Sequence, residues 1–335
     1  MMKNYKNVIL CGPWIGEFSY EVLGWAPKLR YYITNYYSDY HVVHFGYPGR
    51  SLLYRDFVDE YVGYDTDIVD NILPSNSGGV GRGVDHILKY KLTEDFMNSW
   101  IESNKNNFDG VYNLRPVDLN CIRKDQVEVN MPDTKFIHFN ADTEVEIKIV
   151  KFLKGFSEGK DVISIMAPTP HEMIAYRENW NPKHWIEFIE NVIVELKLNV
   201  IMMGITSKNN LQGSYTFEDS YLYSKYPNNI RSYVLSSGIE NSLDYQVSIL
   251  KNTLCSVWGS TGACQLSYYC GRPMFSQLVL STSLKRQFLE SQKNITNNFK
   301  HIKYFQKYNS GMDFYNSPAN EFYEEFKQFY LEIKK

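Results

Sequence analysis

Between Val162 and Ser276 the chain alternates short apolar runs with amphipathic stretches, and that rhythm restricts its fold more than any other feature. Val162-Ile163-Ser164-Ile165-Met166 is of strand length, and Ala167-Pro168-Thr169-Pro170 is its exit loop. Residues 182–196 repeat their apolar positions at helical spacing, with Asn181 as N-cap and Pro182 at the first helical position. Residues 199–204, 231–234 and 254–258 read as the next strands and 273–276 as the last. Helices over 242–251 and 263–270 lie among them. Strands that alternate with helices make a parallel sheet with right-handed crossovers. Such sheets take ligands at the carboxyl ends of their strands.

The first half opens with the same grammar. Val8-Ile9-Leu10-Cys11 is a strand, and Gly12-Pro13 and Gly16 let the backbone turn tightly after it. Ser19 is placed to cap a helix whose apolar face is Val22, Leu23, Ala26 and Leu29. Pro27 falls inside that repeat, so the helix either kinks or starts later. Glu17 and Glu21 sit in this turn among Trp14, Tyr20 and Trp25. Further strands are expected at 41–45, 67–69, 110–114 and 136–139, and helices over 52–61, 87–103 and 142–156. Arg115, at a strand exit, is either a reader of an anionic ligand or a plain surface residue. His138 reads as a core or edge histidine. The polar stretch Ser157-Glu158-Gly159-Lys160 marks the domain boundary, which gives domains over 1–156 and 157–316 and a terminal helix within 317–335.

At 335 residues, 44% hydrophobic and 22% charged, the chain has a globular composition with room for two cores. A net charge of −3 provides no general attraction to nucleic acid or anionic membrane. Five scattered cysteines without metal spacing suit a reducing compartment. No run approaches the ~18 apolar residues of a spanning helix, and the N-terminus lacks a secretory pattern, so a cytoplasmic location is expected. Residues 74–83 are glycine-rich but lack the spacing of a phosphate loop, and read as a surface loop. Asp65-Thr66-Asp67 has the letters of a metal-binding D-x-D and reads as a solvated loop.

Two stretches of the second half carry anion chemistry. Around Tyr176-Arg177-Glu178-Asn179-Trp180, Arg177, Lys183 and a helix N-terminus together suit a diphosphate. In Gly259-Ser260-Thr261-Gly262-Ala263-Cys264-Gln265, small residues admit a ligand close to the backbone, and two hydroxyls can meet phosphate oxygens. Each also has a plain reading, as a solvated basic helix start and as an ordinary strand-to-helix turn.

In this order, and followed by Gly271-Arg272-Pro273, these motifs resemble the donor half of GT-B glycosyltransferases and are most similar to the ADP-heptose heptosyltransferases. Ser260 and Gln265 stand where that family has Asp and His. The family opens with a glycine turn and an acidic base. Glu17 follows its glycine as the family's residue does, whereas Glu21 has its six-residue spacing to Pro27. The resemblance implies an α/β chain of two Rossmann-like domains facing a central cleft, with the C-terminal helix crossing back to the first. It implies a metal-independent, inverting glycosyltransferase with Glu17 or Glu21 as base. Arg177, Lys183, Gly204, Ser260, Thr261, Gly262 and Gln265 would bind the donor. Trp14, Gly16, Tyr20 and Arg115 would line the acceptor side. No cofactor is implied beyond the nucleoside-diphosphate sugar as co-substrate, and the acceptor is a saccharide or another hydroxyl. Two alternatives stay open: a non-catalytic nucleotide-sugar binder, suggested by Ser260 and Gln265, and an enzyme acting on modified DNA bases, which the net charge does not favour.

Overall fold

The structure is a computed structural model describing residues 7–15, 18, 21–65, 84–119, 135–170, 180–206, 214–216, 219–236, 242–259, 262–277, 302–308, 313 and 315–335. The backbone divides into two units, Met1–Ile137 with Gly238–Ser242, and His138–Ser237 with Leu243–Lys335.

In the first unit, β1 (Asn7–Cys11), β2 (His41–Gly46), β3 (Glu60–Gly63) and β4 (Gly110–Leu114) form a parallel sheet in the order β3-β2-β1-β4. The two central strands are the most apolar because a parallel sheet is covered on both faces; Val8, Leu10, Val43 and Phe45 are wholly inaccessible. Gly12 ends β1 at φ 112°, and a Cβ there would lie 2.8 Å from the Phe45 carbonyl oxygen, so only glycine fits. Its N–H donates to Leu114 O at 3.0 Å and that of Trp14 to Phe45 O at 3.2 Å, which ties the turn to both neighbours of β1. Helix α1 (Ala26–Tyr36) starts later than its apolar repeat, with Pro27 in the first turn where its missing N–H costs nothing. Glu21–Trp25 before it make a π-helical turn.

The expected helix over 52–61 is instead a 3-10 turn at Ser51–Leu53 followed by β3, and 67–69 lies outside the described residues. Helix α2 (Val84–Asn104) precedes β4.

The second unit holds α3 (Thr143–Ser157), β5 (Val162–Met166), β6 (Pro168–Pro170), α4 (Pro182–Val194), β7 (Asn199–Thr206), β8 (Ser214–Thr216), α5 (Ser220–Lys225), β9 (Ile230–Ser236), α6 (Ser242–Asn252), β10 (Ser256–Trp258), β11 (Met274–Gln277), β12 (Ile302–Phe305) and α7 (Ala319–Ile333). Its main sheet is parallel in the order β12-β11-β10-β5-β7-β9; β6 and β8 pair separately and antiparallel. Chain direction through the sheet reverses between β5 and β10, the doubly wound arrangement. Residues 136–139 form no strand, and Phe139 N donates to Tyr269 O at 2.9 Å. The last 3-10 turn, Gly262–Cys270, replaces the expected short helix, and β12 is a strand beyond the expected set.

Two elements are placed by their packing. Helix α3 belongs to the second unit, ahead of the boundary expected at Ser157, because its polar flank is tied to α6: Ser248 Oγ and Asn252 Nδ2 each donate to Glu146 at 2.6 Å. The C-terminal helix α7, expected to pack toward the first domain, sinks Phe322, Tyr323, Phe326 and Phe329 into the second unit's core beside Trp180, Trp185 and Phe188 of α4 and its entry. No helix among the described residues is long and apolar enough to cross a membrane.

Candidate functional site

At the carboxyl edge of the first sheet a polar network is sealed inside the protein. Trp14 is 1% exposed and stacks on Trp25, ring centres 6.0 Å apart, so it is a core residue and not a cleft wall. Trp25 Nε1 donates to His44 Nε2 at 2.9 Å. His44 stacks on Tyr54 at 3.8 Å. The Tyr54 hydroxyl donates to Glu21 Oε1 at 2.7 Å, and Arg50 pairs with Glu21 Oε2. Both Glu21 oxygens are therefore engaged on a carboxylate with no exposure. Burial pushes its carboxyl up from the ordinary value, against the pull of Arg50 and Tyr54. In this state Glu21 is shielded from solvent. The nearby Arg30 guanidinium pairs instead with Asp56, at 2.8 Å. Gly16, Glu17 and Tyr20 lie outside the described residues.

Burial also lowers the His44 pKa to about 3 from its ordinary value of 6.5. Since Nε2 accepts from Trp25, the proton of the neutral ring is on Nδ1. Between those pKa values the unfolded chain binds a proton that the folded chain refuses. Stability is thus full above about pH 6.5 and is lost as pH falls toward 3, by ~1.4 kcal/mol per unit. Urea unfolding at pH 6.5 and 5 should show a decrease for the natural protein that is ~2 kcal/mol larger than for His44→Gln. Equal pH slopes in the two proteins would refute this assignment.

The chain reverses in the first sheet between β1 and β4, and there the surface is concave, lined by Pro13, Glu94, Met97, Asn98, Ile101, Asn113 and Arg115. Arg115 is half-exposed and pairs with Glu94 at 3.0 Å, so its charge is already partly answered.

In the second unit the reversal lies between β5 and β10, whose exits are joined by Gly259 N donating to Met166 O at 3.1 Å. The residues after these strands are those read from the sequence as donor-binding, although Arg177, Ser260 and Thr261 lie outside the described residues. Gly262 begins the 3-10 turn. Gln265 within that turn is 6% exposed, and among the described residues its Oε1 has no partner, nor has Nε1 of Trp258 at the end of β10. Lys183 is exposed in the first turn of α4, where its N–H donates to Asn181 Oδ1 at 3.0 Å. Gly204 is buried inside β7 at φ 142°, short of the strand's end. Among the described residues, no group of three or more His, Cys, Asp or Glu is placed to hold a metal ion.

No protein-family model matches the chain, and no curated protein does. Solved structures do. ADP-heptose LPS heptosyltransferase II of E. coli, 11% identical, superposes with a TM-score of 0.53 over 98% of this chain and 100% of its own. The glycosyl transferase family 9 structure from Veillonella parvula DSM 2008, 10% identical, superposes with a TM-score of 0.51 over 99% of each. The chain has the GT-B fold. Each sheet of this GT-B chain presents its reversal point at strand exits singled out in the sequence, Gly12 and Arg115 in one and Gly259 in the other. Arg50, Tyr54 and His44 were not foreseen. The available signal for Arg50 was a lone cation just after the strand-exit turn Gly46-Tyr47-Pro48-Gly49, and nothing local paired it with a glutamate 29 positions earlier.

Proposed function

We propose that the protein is a metal-independent, inverting glycosyltransferase that moves a sugar from a nucleoside-diphosphate sugar to an acceptor hydroxyl. The observation that supports this most is the doubly wound second sheet, where the two sequence stretches suited to phosphate follow adjacent strands at the reversal point. Glu17 takes the proton of the acceptor hydroxyl as its oxygen attacks the anomeric carbon. The carbon–oxygen bond to the diphosphate breaks as the new bond forms. Arg177, Lys183 and the Ser260-Thr261-Gly262 segment stabilise the charge gathering on the leaving group. The acceptor enters by the first sheet, at the concavity lined by Asn98, Asn113, Glu94 and Arg115, which can hydrogen-bond, and by the apolar Met97 and Ile101. ADP-sugars are the first donors to try, since the E. coli protein of the same fold is named for one.

A thermal-shift series of nucleotides and nucleotide sugars tests binding, and release of nucleotide with and without acceptor tests turnover. A donor at 100 times its Kd adds ~2.7 kcal/mol of stability. No shift with any nucleotide would end the proposal. Unchanged turnover in EDTA and an inverted anomeric product are expected. Arg177→Ala should raise the donor Kd by ~10–100-fold in calorimetry, the worth of one charged hydrogen bond. An unchanged Kd would remove Arg177 from the site.

A second reading is non-catalytic binding of the same ligand. It is favoured by Gln265, which can donate and accept hydrogen bonds but does not titrate as the family's histidine does. Donor binding without release of nucleotide under any acceptor would select it.

A further inference from the structure

Helix α3 has a solvent face whose composition folding does not explain. Its inner face supplies Val145, Ile149, Leu153 and Phe156 to the interior. On the outside, Ile147 is 64% exposed, the most of any large apolar side chain among the described residues, and Val150, three positions on, is 42% exposed. β-branched residues are poorer helix formers than the lysine, glutamate or alanine that suit a plain solvated face. Gly155 is open as well: a Cβ there would meet nothing within 4 Å, so alanine would fit and favour the helix more. Lys148, Lys151 and Lys154 are exposed on the same helix. Lys151 follows Ile147, and Lys154 follows Val150, by four residues, which puts each ammonium group beside an aliphatic side chain. Among the described residues none of the three lysines pairs with a carboxylate; Lys148 donates to the Tyr245 hydroxyl at 3.4 Å. Glu146 is taken by Ser248 and Asn252. The exposed acids stand at the two ends, Glu144 in the first turn and Glu158 just past the last.

We propose that this face of α3 docks on an anionic bilayer surface. Ile147 and Val150 enter below the headgroups, and the lysine stems lie along them with their ammonium groups at the lipid phosphates. The pairing of charge with aliphatic groups selects this occupant. Lysine is depleted at protein–protein interfaces, and a second copy would bring lysine against lysine. A nucleic acid would answer the lysines through its phosphates but give Ile147 and Val150 no apolar surface. Anionic lipid takes both. The net charge of −3 does not prevent this, because exposed charges more than about 10 Å apart are largely screened at ~0.1 M salt. Two aliphatic side chains and three lysines give reversible attachment and not insertion. Docking of this kind is independent of whether the chain transfers a sugar.

Cosedimentation of the full chain with lipid vesicles is the test, with phosphatidylcholine alone and with phosphatidylcholine containing phosphatidylglycerol. The natural chain is compared with Lys151→Glu/Lys154→Glu and Ile147→Gln/Val150→Gln. All of these positions are exposed, so both variants should stay folded, which urea unfolding checks. The natural chain should sediment with the phosphatidylglycerol vesicles only, and should be released as salt rises from ~0.1 M to ~1 M. The lysine variant should bind at least ~25-fold more weakly, about fivefold for each lysine lost. The glutamine variant should bind ~10-fold more weakly. No sedimentation of the natural chain with phosphatidylglycerol vesicles overturns the proposal. Equal binding to the two kinds of vesicle, or natural affinity in either folded variant, overturns it too. Self-association of the natural chain that Ile147→Gln/Val150→Gln abolishes, without vesicle binding, would give the face to a second copy. Retention on duplex DNA that only the lysine variant loses, again without vesicle binding, would give it to a nucleic acid.

Discussion

Glu17→Gln should lower turnover by ~10²–10⁴-fold and leave donor affinity unchanged. The amide keeps the size and an acceptor oxygen of glutamate but cannot take a proton. Of the two acidic residues in the opening turn, Glu21 is the buried and paired one. Its oxygens are held by Arg50 and Tyr54 and none of it is exposed. Glu21→Gln should therefore register first as lost stability, ~3–5 kcal/mol for a broken buried pair, because it leaves the Arg50 charge without its partner. The comparison uses single-turnover rates with saturating donor, beside urea unfolding of each variant. Near-natural turnover in Glu17→Gln, with a stable and inactive Glu21→Gln, would move the base to Glu21. Full turnover in both and in the double variant would show that this turn does not carry the base.

Phe322→Ala should destabilise the second unit by ~3–5 kcal/mol. Phe322 is wholly buried at the meeting point of α7, α4 and the sheet. Its ring centre lies 5.0 Å from Trp180, 5.1 Å from Phe188, 5.0 Å from Phe275 and 5.2 Å from Phe305. Truncation there opens a cavity among large rings that cannot all move in to fill it, so the lost transfer energy and the cavity add. Leu331→Ala on the same helix is the control. Leu331 is 52% exposed, and its loss should change stability by no more than ~0.5 kcal/mol. Chemical denaturation of both variants would decide the matter. A Phe322→Ala effect no larger than the control's would mean that α7 is not integral to this core.

The same residue shows where sequence reasoning stops. The amphipathic repeat of α7 was visible, and its bounds follow from Pro318 before it and the apolar spacing within it. What the apolar face covers is a question of where Trp180, Phe188 and Phe275 lie, and they are distant in the chain. The turn at Gly12 was equally visible, but the reason for glycine, the carbonyl of Phe45 at 2.8 Å from a would-be Cβ, is a contact between two strands.

By itself the sequence determined the class of the protein. Short apolar runs spaced by helical repeats leave a parallel α/β architecture as the way to bury both, and local caps such as Asn181 and Asp142 set where helices begin. It also marked strand exits that lie where the strand order of each sheet reverses. Tertiary structure alone decided the strand order, the inclusion of β12 as a sheet strand, the assignment of α3 and α7 to the second unit, and the partner of Glu21. The physical reason is common to these cases. Helix periodicity and capping act over a few residues, whereas a short edge strand, an unclaimed apolar face or a buried charge becomes stable only through a partner that chain folding brings from far away.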